Sequence, residues 1–281
     1  MQATLQYIKE ELTGLYPENE IAGFSRIIIE DVCGWNYSAQ ILKREELIPD
    51  SDFKKVKSIV DRLKKYEPIQ YILGQTIFYG LKIKVNPSVL IPRPETEELV
   101  DWILKSSLPE NCKILDIGTG SGCIALALKK NLPNSKILAI DVSEEALKTA
   151  KNNAAENDLE VNFYEADIIN PDKIKLDRFD IIVSNPPYVR EIEKNKMNNN
   201  VLHFEPELAL FVSDDDPLIF YRSIVRFAGS HLKDNGRLFF EINEELGNEM
   251  ITLLQKYGFY NIEIRNDIHG KNRMLCCQKN S

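Results

Sequence analysis

The stretch Asp180-Ile-Ile-Val-Ser-Asn-Pro-Pro-Tyr188 joins a predicted strand to residue types that can bind a planar amino group. Residues 181–183 form an apolar, β-branched run, which is typical of a strand buried on both faces. The strand must end at Pro186, because proline lacks the N–H donor that a sheet ladder needs. Asn185 therefore lies at the carboxyl end of a strand, where open α/β sheets bind their ligands.

The residue types of this turn fit one chemical task. The side-chain oxygen of Asn185 can accept one hydrogen of an –NH2 group, and a backbone carbonyl of Pro186 or Pro187 can accept the other. Tyr188 offers a flat face on which a planar group can stack. Such a pocket would hold an amide or an aromatic amine for alkylation. A Pro-Pro turn alone more often just ends a core strand, so this interpretation depends on a cofactor loop elsewhere in the chain.

A glycine-rich loop follows a second predicted strand, at residues 113–117. The loop consists of Gly118, Thr119, Gly120, Ser121 and Gly122. Its glycines let a ligand approach the backbone, and the next helix begins with free N–H groups that suit a carboxylate or phosphate. Cys123 stands where the dinucleotide pattern Gly-x-Gly-x-x-Gly requires glycine. The spacing is instead typical of S-adenosylmethionine sites.

Two acidic residues end the next two predicted strands. Asp141 follows the strand at residues 136–140, and its carboxylate can accept both hydroxyl protons of a ribose. Asp167 follows the strand at residues 161–164 and could accept a hydrogen bond from an adenine amino group. A turn cap is an equally good interpretation of Asp167.

The order of predicted elements indicates three segments. Residues 1–68 show helical spacing and predict a small helical domain, in which Ser38 and Asp52 are expected to cap helices. Residues 69–92 predict a β-hairpin linker that turns at Gly80. Residues 93–281 alternate strands and helices, which predicts an α/β fold with a Rossmann-like, seven-stranded sheet. The polar segment 189–203 within this part is predicted to be a lid.

Composition excludes several classes of function. The net charge of −8 argues against a protein that grips the nucleic-acid backbone. The five cysteines are odd in number and lack C-x-x-C spacing, which predicts free thiols in a reducing compartment and, with three scattered histidines, no metal site. The sequence contains neither an 18-residue apolar run nor an apolar signal core, so we expect no membrane span and a cytoplasmic location.

With these residues assembled, the chain resembles the PrmC/HemK family, the release factor glutamine methyltransferases. The matching motifs are Gln70-Tyr-Ile-Leu-Gly74, Ile91-Pro-Arg-Pro-Glu-Thr-Glu97, Asp116-Ile-Gly-Thr-Gly-Ser-Gly-Cys-Ile-Ala-Leu-Ala127, Ser184-Asn-Pro-Pro-Tyr188 and Phe204-Glu-Pro206 with Ala209-Leu210. They occur in family order. The C-terminal Gly270-Lys-Asn-Arg273 is also similar to the family pattern.

The resemblance implies a helical N-terminal domain, a class I S-adenosylmethionine-dependent methyltransferase domain and methylation of the glutamine in the Gly-Gly-Gln loop of peptide chain release factors. By the same resemblance, residues 118–122, Asp141 and Asn185 would hold the cofactor, and residues 185–188 the glutamine. Ile168 stands where family members often carry an aromatic residue over the adenine.

Two other functions remain open at the level of sequence. A nucleic-acid amino-methyltransferase uses the same kind of pocket for a flipped base, and salt-sensitive DNA or RNA binding would favour it. A non-catalytic module would use the helical domain for binding alone, and any methyl transfer would exclude it.

Overall fold

The computed structural model describes residues 1–280, apart from the side chain of residue 196, as two structural units. One unit contains residues 1–74 and 198–204, and the other contains residues 75–197 and those from Glu205 onward. The helices are α1 (Gln2–Leu12), α2 (Glu18–Cys33), α3 (Tyr37–Leu42), α4 (Asp50–Leu63), α5 (Ile69–Leu73), α6 (Pro94–Lys105), α7 (Cys123–Asn131), α8 (Glu144–Glu156), α9 (Asn199–Phe204), α10 (Glu207–Leu210), α11 (Ile219–His231) and α12 (Gly247–Lys256).

The strands all belong to the second unit. They are β1 (Gln75–Phe78), β2 (Leu81–Lys84), β3 (Lys113–Ile117), β4 (Lys136–Asp141), β5 (Asn162–Glu165), β6 (Phe179–Ser184), β7 (Val189–Arg190), β8 (Phe211–Val212), β9 (Leu232–Glu241), β10 (Phe259–Asn266) and β11 (Asn272–Lys279). Short 3-10 helices lie at Pro171–Lys173 and Glu191–Lys196. The segment predicted to be a lid thus contains β7, a 3-10 helix and α9.

The first unit is helical, as the sequence predicts. Its core is made by aliphatic side chains that recur at helical spacing, and Ile8, Ile28 and Val60 are fully buried there. The predicted caps were wrong. The side chain of Asn36, rather than Ser38, accepts a hydrogen bond from the backbone of Ala39 at 2.9 Å and caps α3. Helix α4 begins after Pro49, before Asp52 is reached.

A seven-stranded sheet dominates the second unit, in the order β10-β11-β9-β6-β3-β4-β5. The pairs among β9, β6, β3, β4 and β5 are parallel, whereas β11 pairs antiparallel with both β9 and β10. This confirms the predicted α/β, seven-stranded fold. Residues 181–183 of β6 are buried, as the apolar run predicts for a strand covered on both faces.

The register of the sheet determines which loops meet. Ser184 at the end of β6 pairs with Ile117 of β3 on one side and Phe240 of β9 on the other. Because neighbouring parallel strands end at one edge of the sheet, the residues that follow these three positions lie together there. The glycine loop, the Asn-Pro-Pro turn and the end of β9 are therefore brought to the same place.

The hairpin predicted around Gly80 is present. Strands β1 and β2 are antiparallel, with Phe78 opposite Leu81. Tyr79 and Gly80 both have positive φ, 47° and 72°, in the turn between them. None of the helices within residues 1–280 is long and apolar enough to cross a membrane.

Candidate functional site

A cavity of about 360 Å³ opens at the carboxyl edge of the sheet. Its size lies within the range of small-molecule sites. The cavity is lined by these residues from the sequence analysis: Gly118, Thr119, Gly120, Ser121, Asp141, Asp167, Ile168, Asn185, Pro186 and Pro187. Gly122 and Tyr188 are not among its lining residues. The glycine loop and the Asn-Pro-Pro turn thus border one space, although they are far apart in the chain.

The glycine loop leaves open space on its cavity side. Gly118 and Gly120 have φ of 71° and 55°, and a Cβ atom at either position would meet nothing within 4 Å. Gly122 serves packing instead: with φ of 83°, its Cβ would lie 3.1 Å from the Cβ of Ala150 in α8. The first two glycines are therefore available to a ligand, and the third lets the loop approach α8.

Asp141 fixes the glycine loop and still faces the cavity. One of its carboxylate oxygens accepts a hydrogen bond from the backbone N–H of Gly120 at 2.8 Å, and the other accepts from Ser143 at 2.9 Å. Burial raises the pKa of the Asp141 carboxyl, and hydrogen bonds from Ser143 and Gly120 oppose this rise. Each oxygen retains a lone pair that can accept a further hydroxyl proton.

A second carboxyl lies beneath the same loop. Asp116 is fully buried and accepts a 2.6 Å hydrogen bond from the hydroxyl of Thr119 on one oxygen. Its Oδ1 atom has no hydrogen-bond partner among the described residues. Burial raises the pKa of Asp116 to about 7, the Thr119 hydrogen bond opposes the rise, and Asp141 adds to it. Asp116 was assigned no role from the sequence, although it lies two residues before the glycine loop.

Asp167 shapes the opposite end of the cavity. Its carboxylate accepts hydrogen bonds from the backbone of Ile169 at 2.9 Å and from the Asn170 side chain at 2.6 Å. These contacts are those of a turn cap, and the residue also lines the cavity beside Ile168. Both interpretations of Asp167 from the sequence are therefore compatible with its position.

Asn185 is held by a chain of hydrogen bonds that runs from Thr96, which also lines the cavity, to Glu241 behind it. Its Nδ2 atom donates to the Thr96 hydroxyl at 3.2 Å, and this hydroxyl donates to Glu241 at 2.6 Å. The Tyr188 hydroxyl donates to the other oxygen of Glu241 at 2.8 Å. The ring of Tyr188 packs against the hydrophobic core, and its role as a stacking surface for substrate stays a prediction.

An ion pair connects two of the family-like motifs. Glu205 is 5% exposed and accepts a 2.6 Å hydrogen bond from the Arg93 guanidinium and a 3.2 Å bond from the backbone N–H of Ile91. Arg93 and the neighbouring Pro206 both line the cavity. The Pro-Arg-Pro turn and residues 205–206 therefore form one wall of the cavity.

Thr96 and Glu241 were likewise assigned no role from the sequence. Thr96 lies in the Pro-Arg-Pro-Glu-Thr-Glu motif, which was quoted only for its resemblance. Glu241 ends β9 as Asp141 ends β4, so an acidic residue at the end of a strand was the available signal.

Comparisons with known proteins agree with this architecture. A family model described as the PrmC N-terminal domain matches residues 3–74, and one described as the methyltransferase small domain matches residues 97–204. A release factor glutamine methyltransferase from Flavobacterium psychrophilum is 48% identical and covers 95% of this chain and 94% of its own. One of the same name from Bacteroides thetaiotaomicron is 44% identical and covers 99% and 100%.

Solved structures show the same fold at lower identity. The crystal structure of a methyltransferase from Pyrococcus furiosus is 23% identical, with a TM-score of 0.55, and covers 72% of this chain and 90% of its own. At this identity the likeness concerns the fold alone, and it shows that the seven-stranded unit has a methyltransferase fold.

Proposed function

Because this chain belongs to the family of release factor glutamine methyltransferases, we propose that it transfers a methyl group from S-adenosylmethionine to the side-chain amide nitrogen of the glutamine in the Gly-Gly-Gln motif of peptide chain release factors. One observation carries the proposal. The open glycine loop and the Asn185-Pro-Pro turn border the same cavity, so a methyl donor and an amide acceptor can meet there.

The proposed cofactor site fits the residues that are present. The space over Gly118 and Gly120 admits a ligand close to the backbone. All three of Asp141, Asp167 and Ile168 line the cavity. Asp141 can accept the ribose hydroxyl protons, and Asp167 and Ile168 would border the adenine. When bound, S-adenosylmethionine supplies a methyl group activated by a positively charged sulfur.

The Asn-Pro-Pro turn would position the substrate amide. An amide nitrogen is a poor nucleophile because its lone pair is delocalised into the carbonyl. Asn185 Oδ1 and the Pro186 carbonyl would accept one amide hydrogen each, which orients the nitrogen and returns electron density to it. The methylated nitrogen is acidic and can lose its proton to water, so no dedicated base is needed. Positioning of this kind is worth up to about 7–11 kcal/mol.

The helical residues 1–68 would recognise the release factor, with residues 69–92 as linker and residues 93–281 as the catalytic domain. The net charge of −8 supports a protein partner over nucleic acid. A cytoplasmic location follows from the proposed substrate.

The test uses S-adenosylmethionine labelled on its methyl group and three acceptors. These are a purified release factor, the same factor with its loop glutamine changed to alanine, and duplex DNA. We expect label on the first acceptor alone. Label on DNA, or equal label on the alanine variant, would refute the assignment of glutamine as the acceptor.

The Asn185→Ala variant tests the proposed acceptor pocket. We expect turnover to fall roughly 100-fold, since a misplaced reacting atom can cost this much, while S-adenosylmethionine still binds. The matched control is Asn131→Ala, which removes an exposed amide that bonds only the Ala127 carbonyl within its own helix. Wild-type turnover in Asn185→Ala would contradict the role of Asn185.

A further inference from the structure

Glu241 is a buried carboxylate that does not line the cavity, yet it lies directly behind it. It ends β9 and is 1% exposed. Strand β9 is the parallel neighbour of β6, and Phe240 pairs with Ser184. The residues that follow this pair are therefore neighbours too: Glu241 follows Phe240, and Asn185 follows Ser184. Thr96, from the first turn of α6, lies between their side chains and bonds to both.

The direction of each hydrogen bond in this chain follows from chemistry. An ionised carboxylate can only accept, so the single proton of the Thr96 hydroxyl is donated to Glu241. The Thr96 oxygen can then only accept from Asn185, and the atom of the Asn185 amide that faces it must be the nitrogen. The amide oxygen is thereby directed away from Thr96 and is available to a ligand.

We propose that Glu241 is a positioning residue that acts through the Thr96 hydroxyl to set the orientation of the Asn185 amide. This inference rests on the proposed function only for its consequence in turnover, since the orientation itself is a property of the free protein. Without the carboxylate, the Thr96 proton can turn toward Asn185, and the amide can rotate to present two donor hydrogens to a substrate that also carries two.

A second set of contacts, on the side of Tyr188, holds the Glu241 carboxylate in place. Tyr188 donates to its other oxygen, and the Arg273 guanidinium lies 5.9 Å from the centre of the Tyr188 ring. Arg273 in turn donates to Asp267 at 3.2 Å and to the Ile242 carbonyl at 3.3 Å. The Gly270-Lys-Asn-Arg273 motif, to which the sequence analysis gave no role, thus supplies a cation beside the buried acid.

The groups that face this carboxylate come from several elements. They are Thr96 and Glu95 of α6, Tyr188 after β6, Cys123 of α7, Tyr221 of α11 and Arg273 of β11. Arg273 is the cation among them. Burial raises the pKa of Glu241, and the Thr96 and Tyr188 hydroxyl donors and the positive charge of Arg273 oppose this rise and so favour the ionised form.

The orientation of Asn185 can be measured without substrate. In protein labelled with 15N at asparagine, the side-chain resonances of Asn185 are identified by their loss in Asn185→Ala. We expect Glu241→Leu and Thr96→Val each to speed hydrogen exchange of this amide about fivefold or more, because a hydrogen bond of about 1 kcal/mol is lost. Thr96→Ser keeps the hydroxyl and should restore slow exchange. A glutamine can still offer its one oxygen to Thr96, so the decisive variant is Glu241→Leu, which offers no acceptor; unchanged exchange in Glu241→Leu would overturn the proposal.

Kinetics test the same chain of contacts in the working enzyme. Glu241→Gln should lower kcat roughly 10- to 100-fold with little change in KM for the release factor. Tyr188→Phe removes the other donor to Glu241 but leaves the link to Asn185, so its loss should be smaller than that of Thr96→Val. In an Asn185→Ala background, Glu241→Gln should cause no further loss, because both changes act on one amide.

The control is Asp180→Asn, at the opposite end of β6. This carboxylate also accepts two hydrogen bonds, from the Lys113 backbone and the Lys233 side chain, each at 2.7 Å. It should lower stability without changing kcat. Equal losses of kcat in Asp180→Asn and Glu241→Gln, or additive losses with Asn185→Ala, would show a merely structural role. If wild type methylates no glutamine, the proposed function fails, while the exchange measurement still decides the proposal.

Discussion

Removal of the Glu205 carboxylate should lower the free energy of unfolding, because two donors in the cavity wall lose their acceptor. Glu205→Ala leaves the backbone N–H of Ile91 without its acceptor and the Arg93 guanidinium without its counter-ion. Glu205→Gln can satisfy only one of these donors, because its amide presents one acceptor and one donor. The two substitutions therefore form a graded pair.

The magnitudes follow from the burial of the two donors. The side chain of Arg93 is 31% exposed and can be hydrated, so the loss of its partner costs about 1 kcal/mol. An unsatisfied, buried N–H at Ile91 costs about 1–3 kcal/mol. We therefore expect the free energy of unfolding to fall by about 3 kcal/mol in Glu205→Ala and by about 1–2 kcal/mol in Glu205→Gln.

The chain offers a natural probe for this measurement. Its two tryptophans, Trp35 and Trp102, lie in different units. Trp102 is buried in α6, with its ring 5.5 Å from that of Phe239 in an edge-on arrangement. Urea unfolding followed by fluorescence in a Trp35→Phe background therefore reports on the second unit alone.

Equal stability of Glu205→Ala and Glu205→Gln would refute the reasoning, since only the alanine variant leaves both donors without a partner. The control is Glu263→Ala, which removes an exposed acid whose partner is the nearby Arg265, and it should change stability by less than about 1 kcal/mol. Because Arg93 lines the cavity, Glu205→Ala should also weaken the binding of S-adenosylmethionine, which calorimetry would measure.

Three further outcomes are expected. Burial raises the pKa of Glu241, and hydrogen bonds oppose the rise. We therefore expect kcat to fall as the pH drops through this raised pKa, because the carboxyl then gains a proton. A pH profile of kcat that is the same in Glu241→Gln and wild type would contradict this. The pKa of Asp116 is raised from 3.8 to about 7, so folding takes up a proton between these values, and the stability that this group contributes at low pH is lost as the pH rises through 7. Relative to wild type, Asp116→Asn should therefore gain roughly 4 kcal/mol in unfolding free energy between pH 4 and pH 8, and a constant difference would refute the assignment. Gly122→Ala should cost about 2 kcal/mol in urea unfolding, through its positive φ and its contact with Ala150, and Ala150→Gly should restore part of this loss.

The sequence predicted those features that depend on local pattern. The apolar run at residues 181–183 indicated a central strand, and the two prolines after it required that the strand end there. Once neighbouring strands are parallel, their carboxyl ends must share an edge, so the approach of Asn185 to the glycine loop followed from topology. The seven-stranded sheet was predictable for the same reason, from alternation of strand and helix patterns.

Contacts between distant residues were not predictable from local pattern. Thr96 reaches Asn185 across 89 residues and Glu241 across 145. Such a contact depends on the register of β6 against β9 and on how α6 enters the site, neither of which a local pattern fixes. The helix caps were not predictable for a related reason. Asn36 and Ser38 are comparable cap residues, and which of them caps α3 depends on where the helix begins.

The placement of β11 has a consequence for the synthesis of the protein. This strand follows every other strand in the sequence, yet it pairs between β9 and β10. While the ribosome has not yet released residues 272–279, β9 keeps a free edge and β10 has no partner in the sheet, which are conditions that favour association with other chains. Arg273 also reaches Tyr188 only after β11 has inserted. The strands that carry the glycine loop and the Asn-Pro-Pro turn can therefore pair before β11 is made, whereas the contact of Arg273 with Tyr188 cannot form until then.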